Sequence, residues 1–86
     1  MKTDLAGHLI RKFVMERFPL ARQRRIGDDD SFLESGIIDS LGILELVSFV
    51  EKEFEITVSD EELLPENFES FRCLIAFVER KRDGAR

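Results

Sequence analysis

The sequence predicts an all-α fold, a four-helix bundle with a long first loop and a short third helix. Three observations carry this expectation. Apolar residues recur with helical spacing in well-separated segments. Cap signals stand where helices should begin, at Asp39-Ser40 and at Ser59 with Glu62. No convincing strand signal competes: Ile56-Thr57-Val58 is β-prone but only three residues long, and it reads as a connector.

The first helix is expected over roughly 3–17. There Ala6, Leu9, Ile10, Phe13 and Arg17 follow the spacing of one helix face. Pro19 then blocks continuation, because proline has no amide proton to donate. Residues 18–39 form the long connection, punctuated by Gly27, Asp28-Asp29-Asp30 and Gly36. A connection of that length in a small domain is often functional. Phe32, Leu33, Ile37 and Ile38 are expected to tack it to the core, and Asp30 is placed to cap a short turn through Glu34.

The second helix is expected from Ser40 to Phe54. Leu41, Leu44, Val47 and Val50 make one stripe, widened by Ile43, Leu46, Phe49 and Phe54. So broad an apolar face suits a central helix packed on two sides. Ser59-Asp60-Glu61-Glu62 matches a capping box that opens a short helix, closed by Pro65. The last helix starts near Ser70. Phe71, Leu74, Ile75 and Val78 line its inner face, while Arg80, Lys81 and Arg82 suit its C-terminal dipole. The tail after Asp83 is expected to fray.

With 86 residues the chain reads as a single domain, 1–86, ordered over about 3–82. Hydrophobic residues make up 43%, enough for one core, and the eight Phe are its bulky members because Trp and Tyr are absent. A single Cys excludes an internal disulfide and, with one His, leaves no set for a metal centre. No apolar run is long enough for a signal peptide or a membrane span, so a cytoplasmic protein without membrane insertion is expected.

Charge is sharply divided. Residues 1–27 carry seven Lys/Arg against two acids, a net +5. Residues 28–70 carry fourteen Asp/Glu against Lys52 alone, a net -13. Residues 71–86 return to +3. The acidic middle repels phosphate backbones, which argues against nucleic acid, and favours basic protein partners. Glu45, Glu51, Glu53 and Asp60 are the candidate partner-binding acids. Each is also readable as part of a solvated face.

Within this frame the stretch Gly36-Ile37-Ile38-Asp39-Ser40-Leu41-Gly42 stands out, since an Asp-Ser pair interrupts an apolar run. Asp39 is a good N-cap, able to accept from the amide of Leu41 or Gly42. Ser40 is then the first helical residue, its side chain turned outward beside the positive helix end. A phosphodiester on its oxygen would be stabilised there by free amides and the dipole.

Asp39-Ser40-Leu41 at the start of an apolar second helix, after a long loop and before Phe54-Glu55-Ile56 and Pro65-Glu66-Asn67-Phe68, resembles the acyl carrier protein family. The family includes peptidyl and D-alanyl carriers, and the likeness covers about residues 5 to 80. The resemblance implies the acyl-carrier type of bundle. It also implies that a phosphopantetheinyl transferase moves 4'-phosphopantetheine from coenzyme A onto Ser40, with Asp39 and Leu41 as motif flanks. Cargo would then ride as a thioester. Further partners would be a ligase that loads acyl or aminoacyl groups and downstream transferases or synthases, with the carrier a monomer and not itself an enzyme.

Fatty-acid carriers commonly have an acidic residue where Gly42 stands, and D-alanyl carriers resemble this chain there. Gly42 reads either as bare surface beside the arm or as a neutral change. Phe49, Phe54, Phe68, Phe71 and Phe77 are expected to fill the space beside the second helix, which would favour a short or polar cargo.

Other chemistries fit less well. A calcium loop starting at Asp28 would need an oxygen ligand, a Gly and a Glu where Phe32, Leu33 and Asp39 stand. His8 sits off the apolar face of the first helix and reads as a surface residue; a Ser40-His8 hydrolytic pair would also need an orienting acid and an oxyanion hole, for which so small a domain offers no obvious cleft. Cys73 reads as a core or boundary residue. The alternative to a carrier is a small acidic helical adaptor that binds basic partners and is never modified.

Overall fold

The computed structural model describes residues 5–84. Five α-helices follow in order: α1 Leu5–Arg17, α2 Pro19–Arg24, α3 Ser40–Phe54, α4 Pro65–Phe68 and α5 Phe71–Gly84. A 3-10 turn, Asp60–Glu62, precedes α4. No strand occurs among the described residues. The fold is therefore all-α, as expected. The first, second and last expected helices are α1, α3 and α5. The expected short third helix is only the 3-10 turn, and α2 and α4 are additional, α4 starting at the Pro65 that was expected to close a helix. The expected start of the first helix at residue 3 and the tail beyond residue 84 lie outside the described residues.

α2 arises because a proline that ends one helix can begin another. Phe18, the residue before it, is extended (φ -124°, ψ 91°), as crowding by the proline ring favours. Pro19 then occupies the first turn of α2, where no amide donor is needed. Arg25 closes α2 in the left-handed region, its amide donating to the Ala21 carbonyl. The long connection is thus shorter than its spacing suggested.

The core forms where α1, α3 and α5 face one another around the loop. Ile10, Val14, Phe32, Ile38, Leu46, Val50, Phe71, Leu74 and Val78 are its largest fully buried side chains. In α1 the buried face is Ala6, Gly7, Ile10 and Val14. This differs from the expected stripe: Leu9 and Phe13 are only half-buried and Arg17 is exposed. Val14, one turn beyond Ile10, completes the face, while Phe13 stacks on Phe49 with ring centroids 4.1 Å apart.

The aspartate run is a set of staples. Arg11 forks Asp28, with contacts of 3.1 Å to each oxygen. Arg72 pairs with Asp29, and its amide donates to the Asp28 carbonyl at 3.0 Å. The loop is thereby tied to α1 and α5. Asp30 accepts from the Gly27 amide at 2.7 Å, so it does not cap the following turn; the Ser31 hydroxyl does, accepting from Glu34 at 3.2 Å. Phe32, Ile37 and Ile38 anchor the loop as expected, but Leu33 is exposed.

A second brace holds the 3-10 turn. Glu62 accepts from the Ser59 amide at 3.0 Å, and Lys81 reaches both its oxygens at 3.0 and 3.1 Å. Buried Asn67 donates to the Glu62 carbonyl and accepts from Arg80. The Ser59 amide, and then Lys81, hold the Glu62 carboxyl below its ordinary range. A carboxyl with a depressed folded pKa stabilises above its unfolded value of ~4.3, and the contribution is lost as pH falls through the folded value. The melting temperature of Glu62→Gln should therefore lie below that of wild type at neutral pH. The gap should close as pH drops below ~4.3; a gap that is constant with pH would dismiss the ionic part of the brace.

Candidate functional site

Gly36 turns the loop with φ +76°, a left-handed conformation that favours glycine. Ile37 and Ile38 then plunge into the core. The next two residues are left outside: Asp39 and Ser40 are both exposed. Asp39 is extended (φ -92°, ψ -175°) and its Oδ1 accepts from the Gly42 amide at 2.8 Å. Its carbonyl accepts from Ile43 at 3.0 Å. Ser40 is the first residue of α3, and Leu46, Val47 and Val50 bury the helix behind it. The hydroxyl is thus held on a rigid element between buried anchors on both sides.

Leu41 is 71% exposed and Leu44 53% exposed. This corrects the expected stripe, whose first half faces solvent beside Ser40. Gly42 is buried, which corrects its reading as bare surface. A Cβ at Gly42 would lie 2.6 Å from Ile38 Cγ2 and 2.9 Å from Phe18 Cε1. The missing side chain is a packing requirement facing inward.

Two depressions flank the site. An apolar groove of about 490 Å³ is lined by Leu33, Ile43, Leu63, Leu64, Pro65 and Phe68. Ile43 is three residues beyond Ser40, hence a neighbour of it on the helix surface. The five Phe expected to fill the interior beside α3 lie in or against the core, so the groove is a surface depression and not an internal cavity. Phe68, Phe71 and Phe77 are buried in the core, Phe68 also bordering the groove, and Phe49 and Phe54 pack edge to face with each other. On the other side a pocket of about 350 Å³ is lined by Arg17, Phe18, Ile37, Asp39, Leu41 and Glu45.

The four acids read as partner contacts have different settings. Glu45 is held by Arg17, Nε to Oε1 at 2.6 Å and Nη2 to Oε2 at 2.9 Å. Glu51 accepts from the Val58 amide at 2.9 Å and so pins the connector after α3. Glu53 and Asp60 are exposed. Arg17 and Phe18 were missed as neighbours of the site. No periodicity links residue 17 to residue 45, so the sequence offered no signal for them. His8 is exposed, and Cys73 is half-buried.

These residues fit a tethered phosphate ester. The hydroxyl is exposed, and the first-turn amides of α3 have no carbonyl partners within the helix apart from the cap, so they favour an anion there. A rigid all-α scaffold that displays a single capped serine beside an apolar groove is the architecture of a protein that presents a group to others. Residues 8–78 match the family model described as "Phosphopantetheine attachment site". The chain is 35% identical over 72 residues to an acyl carrier protein of Buchnera aphidicola subsp. Acyrthosiphon pisum (strain Tuc7), covering 84% of this chain and 86% of that one. It is equally similar to an acyl carrier protein homolog of Mycoplasmopsis pulmonis (strain UAB CTIP), covering 94% of the relative. A probable acyl carrier protein, PigG, of Serratia sp. (strain ATCC 39006) is 34% identical over 47 residues, 55% of this chain and 54% of the relative.

The chain belongs to the acyl carrier protein family of phosphopantetheine carriers. Such proteins bear covalently attached 4'-phosphopantetheine, are carriers rather than enzymes, and work with a phosphopantetheinyl transferase and with biosynthetic enzymes. No helix among the described residues is long and apolar enough to cross a membrane.

Proposed function

We propose that Ser40 is the attachment point and that residues 1–86 act as one monomeric, cytoplasmic carrier unit. The observation that carries this reading is an exposed serine at the first position of α3, directly behind the Asp39 cap. When bound, the group supplies a thiol that holds cargo as a thioester. The protein's own residues do the rest. Asp39 fixes the start of α3, Ser40 tethers, and Leu41 and Leu44 offer an apolar face around the tether. Tethering raises the local concentration of cargo at each partner's active site.

The cargo is an acyl or aminoacyl group, loaded by a ligase and consumed by downstream transferases or synthases. The Phe-filled core supports a short or polar cargo, and the groove beside α3 offers an apolar surface to the arm. The acidic middle of the chain steers basic partners, with Glu53 and Asp60 among its exposed acids.

Incubation with coenzyme A and a broad-range transferase should add the mass of one phosphopantetheine to wild type and none to Ser40→Ala. The variant should keep its helical circular dichroism, because Asp39 remains the cap. A wild type that stays unmodified with several transferases would leave the unmodified acidic adaptor as the better reading.

A further inference from the structure

The pocket on the α1 side of Ser40 holds an uneven set of charges. Asp39 and Glu45 both line it, and Arg17 is the cation among its lining residues. Arg17 grips Glu45 at two points and lies over the Phe18 ring, 5.4 Å from its centroid. The pair is half in water, with side-chain exposures of 53% and 41%, so a competitor can open it cheaply.

A phosphodiester on Ser40 would bring a third negative charge to this corner. Ser40 does not itself line the pocket, but both its chain neighbours, Asp39 and Leu41, do, so the group would stand at the pocket's rim. A guanidinium presents the same planar fork to phosphate oxygens as to a carboxylate. The Phe18 face keeps that fork at the pocket whichever anion it holds. We infer that Arg17 is the counter-charge of the phosphodiester, sharing it with Glu45 or leaving Glu45 for it once the group is attached. Arg17 is a positioning residue: it would draw the stem of the arm toward the α1 side of the site and away from the apolar groove. This inference rests on Ser40 being the attachment point.

The test compares unmodified and modified protein by nuclear magnetic resonance. Intact mass first establishes attachment. The side-chain Nε–H signal of Arg17 should then shift between the two forms, and the shift should be larger in Glu45→Gln, which removes the competing carboxylate. The phosphorus signal of the modified wild type should move as salt is raised from ~0.1 M to ~1 M, where the screening length falls from ~10 Å to ~3 Å. In Arg17→Gln it should start from a different position and respond less to salt. Arg22→Gln, an exposed arginine of α2, should match wild type. A mass gain with an unmoved Arg17 signal, and a phosphorus signal unchanged by Arg17→Gln, overturns this inference alone. Absence of the mass gain overturns the Ser40 reading and this inference with it.

Discussion

Replacing Phe32 by Ala should cost about 3–5 kcal/mol, the usual toll of emptying a fully buried aromatic site. Small domains keep only ~5–15 kcal/mol in total, so the variant should lie close to unfolding. Phe32 is 0% exposed and meets Phe71 edge to face, with ring centroids 5.2 Å apart. Its backbone is held as firmly as its ring. The amide donates to the Glu69 carbonyl at 2.8 Å, and the carbonyl accepts from Ile38 at 3.2 Å and from the Ser35 hydroxyl at 3.2 Å. One residue thus joins the loop, the start of α5 and the approach to Asp39. Loss of the ring should loosen the corner that presents Ser40 as well as the core. Urea unfolding would measure the cost, with exposed Leu33→Ala as a reference within about ±0.5 kcal/mol of wild type. Equal stability of the two variants would mean that the loop is not anchored through Phe32.

Local signals were legible in the sequence, and long-range ones were not. The α3 boundaries, Ser40 to Phe54, follow from a cap and a broad apolar face that lie next to each other in the chain. The exposure of Leu41 and Leu44 could not be read the same way. They share the periodicity of Val47 and Val50, and only the neighbouring elements decide which end of the face is covered. α2 was missed because Pro19 announces an end and a beginning with one residue. Asp30 and Ser31 are both capable of closing a turn, and the choice fell to Ser31 because the Gly27 amide already engages Asp30. The ion pairs Arg17–Glu45, Arg72–Asp29 and Lys81–Glu62 join distant segments, and no spacing rule connects their members. The candidate site was legible for a related reason: Asp39 and Ser40 are a local device. The pocket and groove on either side of it depend on chain segments that only the fold brings near.

Gly42→Ala should destabilise the protein by about 1–2 kcal/mol, against the direction that helix propensity alone would give. Alanine in a helix interior is favoured over glycine by ~0.8–1 kcal/mol, less in the first turn, so an unobstructed site would gain. Here the added Cβ would stand 2.6 Å from Ile38 Cγ2 and 2.9 Å from the Phe18 ring, closer than atoms tolerate. Ile38 is only 1% exposed and has nowhere to retreat. Overpacking of this kind typically costs ~1–3 kcal/mol, which outweighs the propensity gain. Gly27→Ala is the natural control, since its Cβ would meet only Asp30 Oδ2 at an ordinary 3.5 Å; it should be neutral or slightly stabilising. The obstacle can be apportioned with Phe18→Leu in the Gly42→Ala background. If the ring resists the methyl, the double variant should be more stable than the sum of the single costs allows; if Ile38 resists it, the costs should add. Because α3 would have to back away from Phe18, the Arg17–Glu45 contact should weaken at the same time. A Gly42→Ala protein that unfolds at higher urea than wild type would show that α3 is not seated on Phe18 and Ile38 as closely as described.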